Sequence, residues 1–572
     1  MMRFLCSNVF ERVKIVFTGV IFLFTCYNAK AQTLPTTERV LKDYYRRSQL
    51  LGSQDSSISF GVQPLFGEAL GVSNIFFPVN SEEFKPSESF RFSKGKGLFM
   101  LLPLEWQQQF NSHHPYGWND GAFIPSKGYQ TVVGAGFFAK YGPLTIQVRP
   151  EYVYASNSQF ESYGEDRSDY ELSNYYIGNY NYIDAPERFG ETKYKKLLWG
   201  QSSIRLTQGP LSLGLSNENL WWGPGRKNSI LMTDNAPGFK HLTLNSVRPL
   251  KTPIGSFEGQ LIAGRLEESG YAPIERQTTS TGQFVRTIPR HDWRYLSGLN
   301  ITYQPKWIPG LFLGYNRDFM SYGPDLKSFN DYFPYFTPFQ KAKFNDGQGD
   351  DLSPRDQRTS FNARWVFPKA KAEVYFEYGL NDNSFNFRDF IGSPQHSRAY
   401  LFGMSKLVPL PSSGEFLEIS AEVTQLSQPL DGRLIRDANG FYYHATVTQG
   451  YTNLGQVLGA GIGSGGNLQT LSVSWVRNLK QIGLTVDRYE HNLELYTSAI
   501  RGLNGFSRSW VDIAFAVFGT WEYKNLLLNT KMQGIRSLNY QWRMKDYIPD
   551  QYYIPNNDIF NFHGELGVAY RF

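Results

Sequence analysis

The chain has 572 residues, 57 basic and 51 acidic, a formal charge of +6, and only two cysteines, Cys6 and Cys26. Mean hydropathy is −0.40, and past the N-terminus no stretch reaches the roughly 18 consecutive apolar residues that a spanning helix needs, which excludes a helical membrane bundle. The near-balance of charge gives no electrostatic case for nucleic acid.

Arg3, Arg12 and Lys14 precede an apolar run from Ile15 to Cys26, and Ala29-Lys30-Ala31 supplies a small-x-small cleavage pattern before Gln32. Residues 1–31 therefore read as a secretory signal peptide. A lipoprotein signal acylated at Cys26 is the rival reading, but Phe24 and Thr25 are too large for its usual small-residue pattern. Both cysteines fall in this segment, so the mature chain is expected to have no disulfide, thiolate metal site or cysteine nucleophile. Loss of four basic residues and one acidic residue with it leaves 53 against 50, a balance of +3.

Residues 32–95 are expected to form an N-terminal periplasmic segment with one helix. Pro35 and Thr36/Thr37 open that helix over 36–51; Val40, Leu41, Tyr44, Tyr45 and Leu51 form one face, and Gly52 closes it. It is expected at the periplasmic mouth of whatever follows, and it is too short for the plug domain of an energised transporter.

From residue 96 to 572 the dominant signal is a period of two. Leu144, Ile146 and Val148 alternate with Thr145, Gln147 and Arg149; Ala372, Val374, Phe376 and Tyr378 alternate with Lys371, Glu373, Tyr375 and Glu377; Leu417, Ile419, Ala421 and Val423 alternate with Glu418, Ser420 and Glu422. The last strand sets Phe562, Leu566, Val568, Tyr570 and Phe572 against His563, Glu565 and Arg571, and a terminal Phe resembles the targeting strand of bacterial outer-membrane barrels. A soluble β-sandwich alternates too, but here the polar face carries both charge signs and the apolar face is thick with aromatics, as a wet lumen and a lipid wall require. The 36 Tyr, 44 Phe and 53 Gly suit aromatic girdles and tight turns.

Eighteen strands are predicted: 98–110, 129–140, 143–155, 197–208, 209–218, 239–249, 254–267, 295–304, 310–319, 357–367, 370–380, 398–407, 414–426, 468–478, 481–491, 509–521, 524–541 and 562–572. The number is even, as single-chain barrels require. Parity agrees: tight turns such as Tyr141-Gly142, Gln208-Gly209 and Leu479-Lys480 fall on one side, and the long stretches 156–196, 219–238, 268–294, 320–356, 427–467 and 542–561 fall on the other. The expected fold is all-β, an 18-stranded antiparallel transmembrane β-barrel with a short N-terminal periplasmic helical segment.

Between the fifth and sixth strands, Ser216 to Ser246 contains Trp221-Trp222-Gly223-Pro224-Gly225 and then a cluster of amides and cations. This stretch closely resembles the central motif of the Wzi family of capsule assembly proteins, outer-membrane barrels that help fix capsular polysaccharide to the cell. Glu373-Val-Tyr-Phe-Glu-Tyr-Gly-Leu-Asn-Asp382 and Pro394-Gln-His-Ser-Arg-Ala-Tyr400 look like the same family. The resemblance implies a barrel in the cell outer membrane that binds surface polysaccharide through extracellular loops. It also implies contact with outer-membrane lipid, no cofactor and no enzymatic activity, and a monomer is expected. The segment 32–95 is too poor in helix for the three-helix periplasmic bundle of the family's enterobacterial branch.

Sugars are held by stacking their C–H faces on aromatic rings and by planar side chains that bridge hydroxyls. Trp221 and Trp222 are the candidate rings; Arg226, Asn228, Asp234, Asn235, His241 and Asn245 are the candidate polar partners. The same residues also fit a plainer role, packing the loop against the wall and satisfying its backbone. Two further loops are aromatic: 160–190, with Tyr163, Tyr170, Tyr175, Tyr176, Tyr180 and Tyr182, and 322–344, with Tyr322, Phe329, Tyr332, Phe333, Tyr335, Phe336, Phe339 and Phe344. Either binds glycan or folds inward to close the pore. The inward charges Arg149, Arg358, Arg364, Glu373, Glu377, Glu418 and Glu422 are expected to pair across the lumen.

Three signals are weak. Gly461 to Gly466 matches G-x-G-x-x-G without a following helix. His444 has threonines rather than a serine nearby, which weakens a surface hydrolase. Asp346, Asp350 and Asp351 lack a spaced calcium ligand set. A diffusion channel for small solutes or sugars remains the alternative function.

Overall fold

The computed structural model describes residues 32–78, 89–336, 355–381, 391–392, 394–428, 440–500, 509–543 and 558–572. The predicted signal peptide, Phe339, Phe344 and the aspartates at 346, 350 and 351 lie outside the described residues.

Eighteen antiparallel strands close into one barrel. The first six are β1 (Gly97–Asn111), β2 (Gly128–Tyr141), β3 (Leu144–Val148 with Glu151–Ala155), β4 (Tyr194–Leu198 with Ser203–Gln208), β5 (Leu211–Ser216) and β6 (His241–Ser246 with Leu250–Thr252). Next come β7 (Gly255–Leu266), β8 (Arg294–Pro305), β9 (Leu311–Tyr322), β10 (Arg355–Phe367), β11 (Ala372–Asn381) and β12 (Arg398–Pro409). The last are β13 (Phe416–Gln425), β14 (Asn467–Arg477), β15 (Lys480–Glu490), β16 (Val511–Tyr523), β17 (Leu526–Leu538) and β18 (Ile559–Tyr570). β18 pairs with β1 from His563↔Asn111 to Tyr570↔Leu104, which closes the wall.

Each predicted strand is present, and the differences are local. β3 is interrupted at Arg149-Pro150, where proline has no N–H to give the ladder. β4 is interrupted at 199–202, where Gly200 takes a φ of +54°. The tight turns after β2, β4, β14 and β16 each open on a left-handed residue: Gly142, Gly209, Asn478 and Lys524, with φ of +57°, +56°, +53° and +53°. Short hairpins need that geometry to match the strand twist.

The side-chain sign of the wall settles its surroundings. On β5, Leu211, Leu213 and Leu215 are exposed while Ser212 and Ser216 are buried. On β15, Leu484 and Val486 are exposed while Thr485 and Asp487 are buried; on β16, Phe515 and Val517 are exposed while Ala514 and Asp512 are buried. A water-soluble sheet would bury the leucines. This wall presents them to lipid and keeps a polar lumen.

The lumen is occupied by the chain's own N-terminal segment. Helix α1 (Arg39–Leu50) starts three residues later than predicted, after Glu38, and lies inside the end of the barrel that carries the tight turns. Leu41, Tyr45, Ile58, Phe60 and Ile75 form an apolar core with Leu102, Phe138 and Leu527 of the wall. The polar residues of its last turns, Arg46 to Gln49, are buried as well, and wall charges neutralise the two arginines. Arg46 pairs with Glu373 at 2.8 Å, Arg47 with Glu418 at 3.5 Å, and Arg149 with Glu38 at 2.8 Å and with Glu105 at 2.6 Å. Arg364 shares Glu373 at 2.6 Å, and Arg358 pairs with Asp318 at 2.8 Å and Asp356 at 2.7 Å. Arg149, Arg364, Glu373 and Glu418 therefore grip the enclosed segment, while Arg358 is paired within the wall.

Candidate functional site

Residues 217–240, between β5 and β6, leave the end of the wall that carries the long loops and turn down into the lumen. There Trp221 and Trp222 pair as a short ladder with Gln63 and Val62 of the N-terminal segment. The Gly-Pro-Gly that follows is a steric necessity. A Cβ on Gly223, at φ +126°, would lie 2.7 Å from the Ser229 hydroxyl, and one on Gly225 would lie 1.8 Å from the Asn228 carbonyl oxygen.

The eight residues expected to contact polysaccharide are all drawn into the interior, so this stretch does not form an outward-facing surface site. Trp222 is 0% exposed and donates its indole N–H to Gln260 at 2.6 Å. Trp221 is 2% exposed, with the Lys42 ammonium 4.4 Å above its ring. Arg226 reaches Glu418 at 2.6 Å and Asp43 at 3.2 Å. Glu422 accepts the backbone N–H groups of Arg226 and Asn228, both at 2.8 Å, and so caps the turn. Asn228 accepts from Asn119 Nδ2 at 2.9 Å; Asn235 accepts from the Asn119 N–H at 3.0 Å and donates to the Val457 carbonyl at 3.0 Å. Asp234 is buried near Lys42 and Arg39; burial raises its carboxyl, and the two cations oppose that rise only in part. His241 and Asn245 point inward from β6, bonded to the Phe239 carbonyl at 2.8 Å and to Arg205 at 3.0 Å. For Asn228 and Asn235 the physical reason is that a loop inside a barrel must satisfy its backbone groups, and short amides do so.

Sequence reasoning missed Glu218, and it placed Glu377 inward without showing that its partner is this loop. Glu218 takes Arg205 at 2.6 Å and also accepts from Thr33, tying the loop to the N-terminal segment. Glu377 accepts from the Ile230 N–H and the Ser229 hydroxyl, each at 3.1 Å. Their inward parity on a strand or at a strand end was the available signal. The lumen retains a cavity of about 320 Å³, lined by Trp221, Lys42, Arg226, Glu422 and Glu565 among others.

The outer loops divide in two. Tyr163, Tyr175 and Tyr180 stack as a column, at 4.4 Å and 4.1 Å between centroids, and pack with Trp510, Tyr540 and Trp542. That cluster is closed. Tyr170, 55% exposed, and Phe284, 51% exposed, instead face outward on neighbouring loops. Asp169 links those loops by its ion pair with Arg276 at 2.7 Å and by accepting from the Ser280 N–H at 2.8 Å. Phe329 and Tyr332 are exposed on a third loop. Gly463 and Gly465 occupy left-handed turn positions ahead of β14 rather than a helix start, and His444 accepts from the Val447 N–H at 3.0 Å as a turn brace.

The family model described as capsule assembly protein Wzi matches residues 114–532. The chain belongs to the Wzi family. A solved Escherichia coli structure, titled as Wzi, an outer-membrane protein involved in group 1 capsule assembly and a carbohydrate-binding β-barrel, shares the fold at a TM-score of 0.58. It is 13% identical to this Wzi-family chain, and the match covers 95% of this chain and 100% of that one. Pseudomonas aeruginosa OccK7 (OpdD) aligns at 12% identity and a TM-score of 0.37, over 82% of this chain and 99% of its own. Acinetobacter baumannii OccAB2 aligns at 11% and 0.38, over 82% and 97%. No curated protein matches the chain. This Wzi-family barrel is an outer-membrane protein, consistent with its lipid-facing leucine wall.

Proposed function

We propose that this barrel holds capsular polysaccharide at the cell surface through its long-loop face, by binding and without chemical turnover. The observation that carries this reading is the filled lumen. The N-terminal segment and the 217–240 loop are locked to the wall by buried ion pairs, so the outward loops are the surface left for a polymer. The E. coli relative is described as carbohydrate-binding, which supports the assignment. In this reading Trp221, Trp222, Arg226, Asn228, Asp234, Asn235, His241 and Asn245 maintain the seal that sets the loops. Glycan contact falls to exposed rings such as Tyr170 and Phe284, beside the Asp169–Arg276 pair. Rings of this kind stack on sugar faces, and the paired charges bridge hydroxyls.

The test is the distribution of capsular polymer in cells lacking the protein. A shift of polymer from the cell-bound to the shed fraction, with total synthesis unchanged, is the expected result. Unchanged fractions overturn the proposal. The channel alternative predicts steady ion conductance in planar bilayers, and the sealed barrel predicts almost none.

A further inference from the structure

The wall has a notch. β5 ends at Ser216, paired to Ser203, and the chain then turns inward, so the upper half of β4, Tyr194–Leu198, is paired only with β3. Its other edge faces a space of about 530 Å³ toward the end of β7, lined by Lys193, Lys195, Lys196, Ser269, Tyr271 and Leu454 among others. Backbone groups on an open strand edge need a partner wherever water is scarce.

The outward side of the notch has two zones. Leu197, 73% exposed, and Trp199, 64% exposed, lead down to Leu215, Leu242 and Leu244, all exposed to lipid. At the long-loop end of the same strip sit Lys193, Lys195 and Lys240, all exposed, and among the described residues none has a carboxylate partner. Lys240 lies beside Arg265, whose N–H it accepts at 2.9 Å; Arg265 is neutralised by Glu267 at 2.6 Å. Glu191 lines the same space, Glu267 lies near Lys196, and Asp184 on its inner side is held by the Ser269 N–H at 2.7 Å.

We propose that this notch seats the phosphorylated sugar headgroup of an acylated outer-leaflet glycolipid, with its acyl chains along Leu197, Trp199 and Leu242. Three unpaired ammonium groups at the membrane rim complement phosphate. Sugar hydroxyls donate to and accept from the open edge of β4, and the leucines meet the chains. A soluble acidic polymer would use the lysines but not the apolar strip beneath them. The inference rests on the outer-membrane location alone and stands whether or not the loops bind capsule.

Native mass spectrometry of the full-length protein in detergent tests it, with purified bis-phosphorylated lipid A as the probe. The expected result is retention of one lipid A copy. Loss of about fivefold in affinity is expected for each lysine removed in Lys193→Gln, Lys195→Gln and Lys240→Gln. The matched changes Lys94→Gln and Lys96→Gln, at the other end of the wall, should have no effect. Enzymatically dephosphorylated lipid A, tested on the unaltered protein, should be lost as well, and that arm depends on no variant. Equal retention of both lipids, or of one lipid by the wild type and the triple variant, overturns the proposal. So does displacement of lipid A by inorganic phosphate or by acidic polysaccharide alone, since either would show that the apolar strip is not used.

Discussion

The 216–246 stretch and the outer loops around Tyr170 and Phe284 are made of the same residue types: aromatic rings, amides, and charges of both signs. In the first, the rings are 0% and 2% exposed, and Arg226, Asn228 and Asn235 are directed to backbone, wall carboxylates and neighbouring amides. In the second, the rings stand more than half in solvent, and one ion pair ties two loops together. Residue types suited to sugar are therefore equally suited to sealing a pore. The difference lies in direction, which follows from the partners waiting inside: a glutamate at 422 to cap the turn, and a strand edge at Val62–Gln63 to extend.

The comparison breaks most sharply at the clamp. Glu373→Ala leaves Arg46 and Arg364 buried without their shared anion, and removal of one partner from such a set costs about 3–5 kcal/mol. The expected outcome is a lower urea midpoint in vesicles, together with measurable bilayer conductance as the segment loosens. Trp222→Ala removes a fully buried ring and orphans Gln260, and is expected to cost about 3 kcal/mol or somewhat more in the same assay. On the opposite face, Leu484→Arg places a charge in lipid at a cost of about 2–4 kcal/mol, without opening the lumen.

Smaller effects sharpen the contrast. The pair Tyr170→Ala and Phe284→Ala should leave stability within about 0.5 kcal/mol. It should still shift capsular polymer into the shed fraction, whereas Trp222→Ala at a temperature where the barrel stays folded should shift less. Acid should act on the lumen side as well. Burial works to raise Asp43, but Arg226, Arg47 and Lys42 outweigh it and hold the carboxyl at about 2, below its unfolded value near 3.9. Its contribution is therefore present above about pH 4 and fades as the pH falls toward 2. Over that window Trp221 fluorescence should change while the strand signal in circular dichroism stays constant.

The wall was legible because period two and turn parity are properties of single segments. Leu211-Ser-Leu-Gly-Leu215 states its outward face without reference to anything else, and Gly142 and Gly209 mark their own hairpins. The helix was legible for the same reason, though its N-terminus was placed at 36 instead of Arg39. The inward course of 217–240 was not, because no periodicity records which way a loop folds. Only long-range partners do, such as Glu218 with Thr33 and Asn119 with Asn235. The notch was hidden in the same way: Lys193 and Lys195 lie in the predicted long stretch 156–196, and only the end of β5 at Ser216 shows the open edge beside them.

The closure of β18 on β1 bears on the order in which this molecule can be made. The segment enclosed in the lumen is synthesised before any strand of the wall, and the wall is complete only when its last strand arrives. The contents are held to that wall by buried pairs such as Arg46–Glu373 and Arg149–Glu38, so the wall and its filling complete each other. Wall and filling are thus parts of one assembly event, and a variant that delays the docking of α1 should accumulate as an unclosed sheet rather than as an empty barrel.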